Sequence, residues 1–186
     1  NYPKRDDITE TMTLSRKIFN KNKITLGYFG SMVKDRGIEF MNNLLRNDEI
    51  NIICGGWCYD DYSRKFIDQT MVSYVGVLEQ KEIFKIIRTE IDYLVAIYPD
   101  TNLNNIYASP NKIWEASMLG VPLIMNSHVL VSRYIEKEKL GLVIDHNNLD
   151  ISVFVDLLKN YSNDSRISVT NFWEDAINPL LNFYQN

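Results

Sequence analysis

From Lys23 onward, short unbroken apolar runs alternate with stretches whose apolar residues recur every three or four positions. The first pattern predicts buried strands and the second amphipathic helices. ITLGYF (24–29), INIIC (50–54), VSYVG (72–76), IDYLVAIY (91–98), Leu123 to Met125 and GLVID (141–145) read as strands. IEFMNNLLR (38–46), residues 60–69, EQKEIFKIIR (79–88), 128–137, LDISVFVDLLKN (149–160) and NFWEDAINPLLNFY (171–184) read as helices. In SPNKIWEASMLGVPLI (109–124) a helix precedes its strand. Ser109 suits its N-cap and Pro110 its first position, while Gly120 suits its C-terminal stop and Pro122 cannot continue it.

Strands alternating with helices predict βαβ units, hence an α/β fold with a doubly wound, Rossmann-like parallel sheet covered on both faces. Residues 1–23 read as a polar linker and entry segment, with a short helix in 8–20, and 24–186 as one domain. Sheets of this class bind ligands outside the carboxyl ends of their strands. The loops at 30–37, 55–59, 76–80, 97–109 and 125–129 are therefore where chemistry is expected.

Composition narrows this picture. A length of 186 residues suits one domain with a sizeable core. A formal charge of −4 and a pI near 5.2 argue against a general nucleic-acid binder. Two cysteines, Cys54 and Cys58, read as reduced thiols in a cytoplasmic protein rather than a disulfide scaffold. No apolar run approaches the roughly 20 residues that span a bilayer. The chain begins at Asn1 without a visible signal peptide, which fits a piece of a longer protein.

The loop GSMVKDRG sets Gly30 directly after the first strand, with Lys34, Arg36 and Gly37 following. Glycine there lets a ligand approach the backbone, and Arg36 can bind phosphate in a bidentate way. The same residues also suit a solvated turn. Neither the dinucleotide fingerprint nor the P-loop pattern occurs. Lys112 sits in the first turn of its helix, where a cation is mildly unfavourable unless an anion is held there. Glu115 follows one turn on, where a carboxylate can accept hydrogen bonds from a ribose. The two read equally as a diphosphate-and-ribose pair or as a surface ion pair. Glu79 and Asp60-Asp61 read as helix starts, CGGWC as a tight turn, His128 as a loop residue, and Trp114 and Trp173 as core.

Taken in order, ITLGYFGSMVKDRGIEF, INIICGG, VSYVGVLEQKEIFKII, YASPNKIWEASMLGVPLI and LGLVIDHNNLDI resemble the donor half of GT-B glycosyltransferases, and most of all family 4, the group 1 glycosyltransferases. The similarity covers about residues 24–160, and FWEDAINPLLNFY (172–184) resembles that family's closing helix. The resemblance implies a retaining transferase whose C-terminal domain binds a UDP- or GDP-linked sugar without a metal or other cofactor. Carried over by position, Gly30, Ser31 and Arg36 fall in the phosphate-binding first loop, and Gly55 in the second. Val77 and Leu78 fall where the base packs. Asn111 and Lys112 face the diphosphate and sugar, and Glu115 holds the ribose. Arg36, Lys112 and Glu115 are the expected catalytic set.

Two positions depart from the family pattern. Tyr107 stands where an E-x7-E motif has its first glutamate, and Ser31 where an arginine is common, leaving Arg36 or Lys34 to carry the phosphate charge. The resemblance also implies an N-terminal acceptor domain that this sequence lacks. It further implies a role in bacterial surface polysaccharide or glycolipid synthesis, in the cytoplasm, with peripheral contact at the inner membrane face. The fragment alone is expected to transfer little. A non-catalytic pseudo-glycosyltransferase and a UDP-sugar 2-epimerase are the alternatives.

Overall fold

The structure is a computed structural model that describes residues 3–20, 22–101 and 103–161. Six strands form one parallel sheet: β1 (Ile24–Phe29), β2 (Ile50–Gly55), β3 (Val72–Tyr74), β4 (Tyr93–Ala96), β5 (Leu123–Asn126) and β6 (Gly141–Ile144). Their spatial order is β3-β2-β1-β4-β5-β6, so the chain reverses direction across the sheet between β1 and β4. That order is the doubly wound arrangement expected from the sequence, with its ligand crevice at the β1/β4 switch point.

Strand periodicity explains the two cores. Successive side chains point to opposite faces. Ile24, Leu26 and Tyr28 of β1, Tyr93 and Val95 of β4 and Ile124 of β5 belong to one cluster. It is covered by α2 (Glu39–Leu44), α3 (Asp61–Ile67) and α8 (Ile151–Asn160). Phe29, Leu94, Ala96, Leu123 and Met125 face the other cluster. There they meet α1 (Arg5–Met12), α4 (Gln80–Glu90), α6 (Asn111–Leu119) and α7 (Ser132–Lys137). A further short helix, α5 (Leu103–Ile106), lies in the segment read from the sequence as a plain loop.

Several expected signals operate as read. Asp60 caps α3 by accepting the Ser63 N–H at 2.7 Å. Glu79 precedes α4, and its own N–H donates to Glu82 at 3.1 Å, half of a capping box. Gly120 ends α6 in the left-handed conformation, φ 68°. Others shift. Pro110, not Ser109, occupies the N-cap of α6, because its ψ of 143° is still extended. The first helix is Arg5–Met12 rather than part of 8–20, and α7 begins at Ser132 rather than 128 after a run of turns. The helix expected over 171–184, with Trp173, lies outside the described residues.

The entry segment packs on the domain. Ile8 is buried, and Glu10 pairs with Lys81 at 2.5 Å and Lys85 at 3.3 Å on α4. Lys17 then reaches buried Asp92 at 2.6 Å, at the amino end of β4 and opposite the crevice. Cys54 and Cys58 are free thiols, and burial pushes Cys54 up to about 12. No helix among the described residues is long and apolar enough to cross a membrane.

Candidate functional site

The carboxyl edge of the sheet is stitched together by backbone. The Gly30 N–H donates to the Gly55 carbonyl at 2.9 Å, and the Gly56 N–H to the Gly76 carbonyl at 2.8 Å. Gly56 has φ 131°, and a Cβ there would overlap the Gly30 carbonyl. Only glycine combines that conformation with that approach. Gly55 is packed against Gly76 and Val75, so its place is structural as well as being at the edge. Asp60 adds a side-chain stitch, since it accepts the Lys34 N–H at 2.8 Å while capping α3.

After Gly30 the chain makes a wide turn at Lys34–Ile38, which leads directly into α2. Arg36 (φ −90°, ψ 41°) and Gly37 (φ 94°, ψ −9°) break its helical path. Gly37 is required because its φ disfavours a side chain and Ile97 stands 3.1 Å from where a Cβ would be. This kink throws Arg36 toward Tyr98, with the guanidinium carbon 5.4 Å from the ring centre. Lys34 points elsewhere, to Glu39 at 3.3 Å and over the Tyr62 ring. Of the two cations in this loop, the structure thus turns Arg36 toward the crevice.

Lys112 approaches from α6. Its Nζ lies 5.4 Å from the centre of the Tyr28 ring and 3.4 Å from the position of a Gly30 Cβ. Glycine is favoured at Gly30 by its φ of 129°, and the lysine head rests against that position. Pro110, the N-cap of α6, has no side chain that could cap it, and the positive end of the helix dipole lies beside Lys112. Among the described residues neither Arg36 nor Lys112 has a carboxylate within ion-pair distance. Aromatic faces hold both instead.

Glu115 is half-buried and accepts a hydrogen bond from Gln80 at 2.9 Å. It forms no surface pair with Lys112, although each feels the other. Burial lowers Lys112 from the ordinary lysine range, Glu115 pulls it back and Arg36 depresses it further. Burial raises Glu115, while Lys112 and the Gln80 hydrogen bond hold it down. Two close cations facing one carboxylate leave a local positive excess in a chain that is acidic as a whole. An anion at this spot relieves it.

The structure thus brings together Gly30, Arg36, Lys112 and Glu115, with exposed Asn111 at the start of α6. Ser31 lies at the rim, its carbonyl accepting the Tyr28 hydroxyl at 2.7 Å. Val77, 49% exposed, and Leu78 lie one loop away, joined to the cluster through Gln80. Tyr107 is 68% exposed between α5 and α6. Tyr28, Tyr98 and Gln80 were missed by sequence reasoning. His128 and His146, far apart in sequence, meet at a tilt of 49° with ring centres 5.8 Å apart, and His128 reaches the Tyr98 carbonyl. No group of three or more metal-binding side chains occurs among the described residues.

No family model matches this sequence, and no curated protein matches it. Solved structures do. The glycosyltransferase AviGT4, involved in avilamycin A biosynthesis, is 12% identical with a TM-score of 0.65 over 99% of this chain and 53% of its own. Anabaena HepE in complex with UDP and glucose is 13% identical, TM-score 0.61, over 97% of this chain and 52% of its own. The S. aureus MnaA–UDP structure is 11% identical, TM-score 0.64, over 96% of this chain and 50% of its own. The chain spans about half the length of these structures. At such identities the likeness is one of fold: a Rossmann-like α/β domain corresponding to one half of a GT-B protein.

Proposed function

We propose that this chain is the C-terminal, donor-binding domain of a retaining glycosyltransferase of family 4, and that it binds a nucleotide-diphosphate sugar at the β1/β4 switch point. One observation carries the reading. Arg36 and Lys112 converge beside Gly30 at the start of α6, neither in an ion pair with a carboxylate, with Glu115 one turn on. The UDP complexes of HepE and MnaA support a uridine nucleotide.

In this reading the diphosphate lies on the α6 N-terminus between Arg36 and Lys112. The ribose hydroxyls donate to Glu115, which Gln80 holds in orientation. The base rests on Val77 and Leu78. As the bond from the sugar carbon to the diphosphate oxygen breaks, negative charge grows on the leaving group. Arg36, Lys112 and the positive end of the α6 dipole are already placed there, so little reorganisation is needed as it develops. The acceptor side of the cleft belongs to a further domain, and transfer requires both. The setting we propose is bacterial polysaccharide or glycolipid synthesis at the cytoplasmic membrane face.

Calorimetric titration with UDP, GDP and their common sugars tests this directly, with Lys112→Ala and Glu115→Ala as companions. Binding of one nucleotide, weakened by both substitutions, is the expected result. Binding that ignores both substitutions would place the donor elsewhere.

A further inference from the structure

We infer that Tyr98 and Asn126 are positioning residues for the diphosphate site, acting through Arg36; this rests on the nucleotide-sugar reading above. The β4 ladder ends at Ala96, two residues before Tyr98. Beyond it, the side chain of Asn126, the last residue of β5, takes over. Its Oδ1 accepts the Tyr98 N–H at 3.1 Å, and its Nδ2 donates to the Tyr98 carbonyl at 2.6 Å. A primary amide offers one donor and one acceptor side by side, as a neighbouring strand would. Asn126 is fully buried, where an amide is tolerated because its polar atoms are satisfied. His128 Nε2 lies 2.9 Å from the same carbonyl and 2.8 Å from the Asn126 Nδ2, and its tautomer decides which of the two it pairs with.

This clamp fixes the backbone of Tyr98 at both its polar groups, and so fixes where its ring stands. The ring carries the Arg36 guanidinium 5.4 Å from its centre. The choice of an aromatic partner matters. A carboxylate would hold Arg36 equally well but would neutralise it and compete with phosphate. A ring face holds the cation without cancelling its charge and leaves the in-plane N–H groups free to donate. The turn at Arg36 and Gly37 is not helical, so helix geometry does not fix the side chain. Asn126 and Tyr98 supply that order across the switch point.

The test uses the whole chain with three variants: Tyr98→Phe, Tyr98→Leu and Asn126→Ala. UDP and inorganic pyrophosphate are titrated by calorimetry, and the Arg36 Nε–Hε resonance is followed by NMR in the unliganded protein. Tyr98→Leu should weaken both ligands about three- to tenfold, the range of a partly desolvated cation–π contact. Tyr98→Phe keeps the ring face and should restore binding to within about twofold. The upfield ring-current shift of the Arg36 Hε should persist in Tyr98→Phe and vanish in Tyr98→Leu and Asn126→Ala. Combined with Arg36→Met, Tyr98→Leu should add nothing further. Wild-type affinity and an unmoved Arg36 resonance in Tyr98→Leu would overturn the inference, and that variant leaves the Asn126 side chain untouched should Asn126→Ala fail to fold. If the wild type binds neither ligand, the nucleotide reading falls, and the resonance alone still decides whether Tyr98 positions Arg36.

Discussion

Removing the Lys112 ammonium is the sharpest perturbation of the proposed donor site. Lys112→Met keeps most of the aliphatic stem and deletes the charge. Two unit charges about 4 Å apart attract by about 4 kcal/mol at an effective dielectric of about 20. Much of the lysine's dehydration is already incurred in the free protein, since burial depresses its pKa before any ligand arrives. Bound phosphate retains part of its own hydration on the open side, which cuts the net value. Loss of the ammonium also leaves Glu115 facing the diphosphate without its nearby cation. Together these give about 2–3 kcal/mol, roughly 30- to 150-fold in Kd for UDP, within the range for truncating one partner of a desolvated charge pair. Titration calorimetry at fixed salt measures it. Lys34→Met is the control, because Lys34 is directed to Glu39 and Tyr62, and it should stay within about twofold of wild type. Equal, small losses in both variants would mean that general basic character attracts the nucleotide, and the assignment of Lys112 would be wrong.

Glu115→Gln should weaken UDP while sparing pyrophosphate, because only the nucleotide has a ribose for the carboxylate to hold; parallel titration of the two ligands checks this. UDP affinity should fall as pH rises through the depressed Lys112 value, since diphosphate favours the ammonium form, and calorimetry in buffers of different ionisation enthalpy should show proton uptake on binding. His146 has its pKa lowered by burial first and then by His128, so the folded state favours its neutral form. That contribution is complete above the ordinary histidine pKa and is lost as pH falls through the folded value; thermal melts of His146→Gln should therefore lose less stability on acidification than wild type. Gly56→Ala forces a Cβ onto the Gly30 carbonyl at positive φ and should lower stability by about 2–4 kcal/mol in denaturant unfolding, and an unchanged midpoint would refute the close approach.

The fold was legible because its signals are local. Runs such as YLVA in β4 are apolar throughout, as strands buried on both faces must be, and α4 carries its stripe beside polar neighbours. Asp60, Glu79 and Gly120 mark helix ends through groups within a few residues. Lys112 and Glu115 were legible for the same reason: a cation in the first turn of a helix raises a question from sequence alone. Non-local features were not. Tyr28 and Tyr98 look like core residues at strand ends, and nothing in the sequence says that their faces hold Lys112 and Arg36. Asn126 falls in the loop 125–129 by sequence, and nothing local shows that its side chain bonds the backbone of Tyr98. The choice between Lys34 and Arg36 depended on a kink at Gly37 that no periodicity encodes.

The packing of α1 has a mechanical consequence. Glu10 grips Lys81 and Lys85 on the first two turns of α4, and Ile8 is driven into the core beside them. The residue that opens α4 is Gln80, which touches Glu115. Helix α1 is therefore joined to the helix whose first residue meets the carboxylate proposed to hold the ribose. A segment attached ahead of Arg5 would thus meet the domain on the face that α1 and α4 share, on the helix that begins with the partner of Glu115.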